Sequence, residues 1–189
     1  MPLNLPNILT MSRIGSIPVI IGLMYLPSPL GNWAAFSVYT YACITDFFDG
    51  YLARVWQQQS SLGRFLDPIA DKLLIAGVLL MLVANDHITG LTVAPAAVIL
   101  FREILVSGLR EFLGEVNVSV PVSNLAKWKT VMQMVAIGFL IAGPTGDKIF
   151  PWTSLTGLAL LWVSATLTLY TGWDYFRAGV KHVLEQGLE

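Results

Sequence analysis

Short polar or turn-forming stretches interrupt this chain five times, and the apolar runs between them set its expected architecture. Residues 8–26 are apolar but for a few positions, Ser12 and Arg13 among them. Further runs follow at 33–56, 63–84, 91–113, 124–142 and 152–176. Each is long enough to cross roughly 30 Å of hydrocarbon as a helix. The interruptions carry turn chemistry: Pro27, Pro29 and Gly31, the run Gln57-Gln-Gln-Ser-Ser61, Asn85-Asp86-His87, the polar stretch 114–123, and Gly143-Pro144 with Gly146. Residues 2–7 read as a short interfacial lead-in, with Asn7 or Thr10 available to cap the first helix. The charged tail from Arg177 is expected to emerge into water. The pattern predicts an all-α integral membrane protein of six transmembrane helices, formed by one domain over 1–189.

Composition supports that reading. Hydrophobic residues make up 55 % and charged residues 12 % of the 189 residues, where a soluble domain carries about 25 % charged residues. The net charge of −1 argues against a nucleic-acid partner, which would want a basic patch. The single cysteine, Cys43, cannot form an internal disulfide and reads as a buried small hydrophobe. No basic n-region or small-residue cleavage site marks a signal peptide, so the first apolar segment is expected to stay in the mature protein.

Six spans put both termini on one side. With the termini in the cytoplasm, Lys148 is the one member of the eleven Lys and Arg residues that falls outside, as the positive-inside bias requires. Trp33, Trp152, Trp173, Tyr25 and Tyr175 then fall near span ends, where an aromatic belt sits.

Against this oil stands the stretch from Asp46 to Asp71, at the cytoplasmic end of spans two and three. In a helix, Asp46, Asp49, Gly50 and Ala53 share one arc, and Gly63, Asp67 and Asp71 share another. Four carboxylates inside membrane helices would cost on the order of 10 kcal/mol unpaired. A common cationic partner offsets that cost, and all-oxygen ligands suit hard divalent ions. Plainer readings exist for the parts. Asp67-Pro68 fits an N-cap with a first-turn proline. Asp71-Lys72 and Asp49-Arg54 fit ion pairs at a membrane edge. Gly50 and Gly63 fit close helix packing. Intramembrane aspartates also suit a divalent-cation or proton-coupled transporter, although such a path would continue toward the outer side.

The pattern Asp46-x-x-Asp49-Gly50-x-x-Ala53-Arg54, eight residues, Gly63-x-x-x-Asp67-x-x-x-Asp71 resembles the signature of the CDP-alcohol phosphotransferase family at every signature position. The resemblance implies a homodimer of six-helix subunits in a bilayer, with a cytoplasm-facing site holding two divalent cations, Mg2+ or Mn2+. It implies that a CDP-linked lipid donates its phosphatidyl group to an alcohol and releases CMP. By the same resemblance Asp46, Asp49, Asp67 and Asp71 hold the metals and Asp71 is the base. Gly50, Ala53, Arg54 and Gly63 shape the cytidine diphosphate pocket. Asn7 and Arg13 either border the nucleotide or anchor lipid headgroups.

A second cluster bears on the acceptor alcohol. Arg102 and Arg110 are eight residues apart on span four, nearly on one face, and Lys127 and Lys129 open span five. Convergent cations in a membrane protein suit an anion, here a phosphate on the acceptor. The alternative is contact with anionic lipid headgroups, with Lys129 facing lipid. Glu103 is placed to orient Arg102, and His87 reads as a solvated turn residue. The stretches around Asn4–Arg13, Arg102–Glu111 and Lys127–Gln133 resemble a branch of the family whose substrates would be CDP-diacylglycerol and sn-glycerol 3-phosphate. Inositol phosphate is the alternative acceptor. One departure is Ala126, where that branch usually carries glycine. A bacterial inner membrane is the expected location.

Overall fold

The computed structural model describes residues 5–55, 61–115 and 124–186. Its long elements are six α-helices: α1 (Leu5–Leu23), α2 (Leu30–Val55), α3 (Ser61–Ala84), α4 (Val93–Glu115), α5 (Asn124–Asp147) and α6 (Thr153–Gln186). A short 3-10 turn, Gly90–Thr92, precedes α4. No strand occurs among the described residues. The helices match the six predicted apolar runs, and α4 and α6 are long and apolar enough to cross a membrane. Large apolar side chains such as Phe47, Phe65, Leu80, Phe101, Ile104 and Trp173 stand exposed on α2, α3, α4 and α6. Exposed apolar side chains of that size suit contact with lipid or another apolar partner.

Three boundaries differ from expectation. The first helix has begun by Leu5, so Asn7 and Thr10 lie within it and are not its N-cap. Pro6 does not prevent this, because a first-turn N–H has no helical acceptor to lose. Asp67 and Pro68 lie in the second turn of α3, so Asp67 is not an N-cap either. The tail beyond Arg177 continues α6 as far as Gln186. At 1.5 Å per residue this helix is about 51 Å long, well beyond the hydrocarbon thickness.

The chain divides into two compact units. One comprises Met1–Thr89 and Ile137–Gly157, the other Gly90–Ala136 and Leu158–Glu189. In the first, α1 packs against both α2 and α3. Its buried stripe is Asn7, Thr10, Arg13, Ile17 and Ile20, continued by Met24 just past the helix end, the three-and-four spacing of a single helix face. The stripe is polar for its first two turns and apolar afterwards. Gly77 of α3 admits Ile17 and Ile21 of α1, whose side-chain carbons would lie 3.5 and 3.4 Å from an added Cβ.

The break in α5 has a chemical cause. Gly143 sits at φ 45° and ψ −135°, in a region that residues with a Cβ rarely adopt. Pro144 has no N–H to give the carbonyl of Leu140, four residues earlier. His87 supplies it: Nδ1 lies 2.7 Å from the Leu140 oxygen, which makes that nitrogen the protonated one, since a carbonyl only accepts. Asn32 Nδ2 donates to the next carbonyl, Ile141, at 3.0 Å. His87 is thus half-buried against Gly143 rather than solvated. Replacing His87 by alanine strands the Leu140 carbonyl and should cost about 1–2 kcal/mol. Thermal unfolding in detergent measures this; His87→Gln, which keeps an N–H, should lose less, and equal melting of all three proteins would refute the assignment.

Aromatic placement is mixed. Tyr25, Trp152 and Trp173 are exposed as a belt requires, whereas Tyr175 is only 5 % exposed and is no interfacial anchor. Trp33 is half-buried, edge-on to Phe36 at 5.9 Å. Cys43 is half-buried and carries a free thiol.

Candidate active site

In the first unit, three helices bring charge together. Arg13 of α1 is fully buried. Its Nη1 lies 2.8 Å from Asp46 Oδ1 of α2 and 2.6 Å from Asp71 Oδ1 of α3. One nitrogen therefore serves carboxylates from two different helices, and those two oxygens can be no further apart than the two distances together. Asp67, one turn before Asp71, accepts a hydrogen bond from Thr10 Oγ1 at 2.6 Å. The polar turns of the α1 stripe thus face Asp46, Asp67 and Asp71. Sequence reasoning placed Arg13 at the nucleotide or a lipid headgroup, and foresaw neither its pairing with Asp46 and Asp71 nor Thr10 as a partner of Asp67. The signal was available in the 3-3-4 spacing of Asn7, Thr10, Arg13 and Ile17, which puts three polar groups on the buried face.

Asp71 and Asp46 remain accessible, their side chains 46 % and 28 % exposed. Gly63 and Asn7, both expected near the nucleotide, are buried. The side chains of Asp49, Ala53, Arg54 and Lys127, and the surroundings of Gly50, lie outside the described residues. Among those described, no three metal-capable side chains form one group. Even so, the donor chemistry fits a hard divalent cation: Asp46 and Asp71 present oxygen at close range, from two helices already held together.

The second unit holds the basic cluster. Arg102 of α4 lies across α6. Its Nε donates to the Thr168 carbonyl at 3.1 Å and its Nη2 to Thr171 Oγ1 at 3.0 Å. The third nitrogen, Nη1, lies 3.3 Å from Glu103 Oε1. The same Glu103 oxygen pairs with Lys129 Nζ of α5. Lys129 is 4 % exposed, so the lipid-facing alternative for it falls away. Gly172 makes the crossing possible, because an added Cβ would lie 3.1 Å from Arg102 Cγ and 3.2 Å from Nε. Arg110 is exposed and does not join this buried group. Thr168, Thr171 and Gly172 were not foreseen, though their i, i+3, i+4 spacing marks one small, polar arc of span six.

Six helices, two of them long and apolar enough to cross a membrane, large exposed apolar side chains, and carboxylates gathered on a buried arginine define an all-helical protein with an oxygen-rich charged site. Comparison with known proteins narrows this class. A sequence model of the CDP-alcohol phosphatidyltransferase family matches residues 3–170. A Rickettsia bellii protein named CDP-diacylglycerol–glycerol-3-phosphate 3-phosphatidyltransferase is 49 % identical over 179 residues, 95 % of this chain and 97 % of its own length. Proteins of the same name from Escherichia coli K12 and Cereibacter sphaeroides are 39 % and 37 % identical. They cover 98 % and 97 % of this chain, and the matches span 100 % and 98 % of those proteins. This chain belongs to the CDP-alcohol phosphatidyltransferase family.

Proposed function

We propose that the protein transfers the phosphatidyl group of CDP-diacylglycerol to sn-glycerol 3-phosphate, giving phosphatidylglycerophosphate and CMP in phospholipid synthesis. The observation that carries this reading is the intact Asp46-to-Asp71 signature in a chain matched over nearly its whole length by relatives named for this reaction.

In this reading Asp46, Asp49, Asp67 and Asp71 hold two divalent cations, Mg2+ or Mn2+. When bound, such ions neutralise the diphosphate and stabilise charge on the attacking and leaving oxygens. Asp71 accepts the proton of the acceptor hydroxyl as its oxygen attacks the lipid-bearing phosphorus and the bond to CMP breaks. Gly50, Ala53 and Gly63 leave room for the nucleotide, Arg54 offers its fork to phosphate oxygens, and Asn7 borders the nucleotide. Arg102, Arg110, Lys127 and Lys129 bind the acceptor phosphate, with Glu103 fixing the two cations it pairs with. The chain works as one catalytic domain of six spans in a bacterial inner membrane, as a homodimer, with both termini and the site facing the cytoplasm. The apolar exposed surface, two span-length helices and bacterial relatives support that placement.

The test uses purified protein in mixed micelles with CDP-diacylglycerol, Mg2+ and labelled sn-glycerol 3-phosphate. Label should enter the lipid phase in step with CMP release, and chelation should stop both. If inositol phosphate is the better acceptor, or if no lipid product forms, the reading is wrong.

A further inference from the structure

Arg13 is a fixed positive charge on the oxygens that the proposed function gives to divalent cations. The residue is fully buried, and the nitrogen that meets Asp46 Oδ1 at 2.8 Å is the one that meets Asp71 Oδ1 at 2.6 Å. A divalent cation bound to those oxygens would lie within a few ångströms of the guanidinium, where like charges repel strongly in a partly dry site. Conversely, two carboxylates drawn this close repel each other unless a positive charge joins them.

We propose that Arg13 is a resident counter-ion of the carboxylate cluster. It holds Asp46 and Asp71, and with them α2 and α3, when no divalent cation does, and it weakens cation binding by competing for the same oxygens. Arg13 touches no reacting atom in this role; it positions two ligands and sets how readily the cation exchanges. The inference rests on the metal-binding reading above. Thr10, one turn away and bonded to Asp67 at 2.6 Å, is neutral and orients a ligand without competing, so the two α1 side chains act differently.

The experiment measures Mn2+ binding by the paramagnetic signal of the free ion, and thermal unfolding with EDTA or saturating Mn2+, on the full chain in detergent. Arg13→Gln should bind Mn2+ about tenfold more tightly than wild type. It should melt below wild type in EDTA and recover most of the difference in Mn2+. Arg13→Lys, which keeps the charge, should stay near wild type in affinity. A structural strut alone would lower melting equally with and without Mn2+ and would not tighten binding; that result overturns the inference. If Arg13→Gln does not fold, the double variant Arg13→Gln/Asp46→Asn removes one of the two stranded carboxylates and should fold in EDTA. Failure of the double variant as well would mean that charge balance is not what Arg13 supplies. Should wild type itself bind no Mn2+, the metal reading falls, and this inference with it. Wild type that binds Mn2+ beside a glutamine variant that binds it no better removes the inference alone.

Discussion

Replacing Asp71 by asparagine is expected to lower CMP release by about 10²–10⁴-fold at saturating divalent cation. Asparagine keeps the shape of the side chain and an oxygen that can still accept from Arg13 Nη1, now 2.6 Å away. The join between α1 and α3 should therefore survive, and melting should change little. What is lost is the negative charge and, above all, a group able to take the hydroxyl proton. At 46 % exposure the Asp71 side chain can be reached by a bound acceptor. Asp46→Asn provides the comparison. It sits on the same arginine nitrogen at 2.8 Å and loses the same charge, but in the proposed mechanism it takes no proton. Raised Mg2+ should restore part of the Asp46→Asn activity and little of the Asp71→Asn activity. Full recovery of Asp71→Asn at high Mg2+, or no defect to begin with, would remove Asp71 as the base.

How much of this was readable beforehand depends on the range of the interaction. Helical periodicity alone puts Asp46 with Asp49 and Asp67 with Asp71, because those relations are internal to one helix. The break at Gly143-Pro144 was equally readable, since both residues act on their own backbone. The partner of each group was not. Nothing local says that His87 reaches Leu140, that Arg13 joins Asp46 to Asp71, or that Arg102 crosses α6 at Gly172. Periodicity gives a side chain's face, and only packing gives its neighbour. The same gap explains Tyr175 and Lys129. Both sit where a belt or a headgroup contact was plausible, yet helix packing buries them. The end of the last helix differs for another reason: the apolar run stops near Phe176, while helix propensity carries α6 on to Gln186.

The second large effect is expected at Arg102. Three of its donors are committed, to the Thr168 carbonyl, Thr171 Oγ1 and Glu103 Oε1. A guanidinium has five N–H groups, which leaves two in a fork that the other three hold still. Lysine keeps the charge but concentrates its donors on one atom, and cannot serve Thr168 and Thr171 from separate nitrogens while meeting a phosphate. Losing one or two charge-assisted hydrogen bonds costs about 1.5–3 kcal/mol, or roughly 10–100-fold in affinity. Arg102→Lys should therefore raise the KM for glycerol 3-phosphate by about that factor, with kcat changed only a few-fold and the KM for CDP-diacylglycerol unmoved. Gly172→Ala tests the positioning without touching a charge. Its Cβ would press on Arg102 Cγ, 3.1 Å away, and tilt the fork, so the same KM should rise by a smaller factor. Were either substitution to lower kcat at constant KM, or to weaken CDP-diacylglycerol instead, Arg102 would belong to the donor half of the reaction and the acceptor would have to be held by other cations.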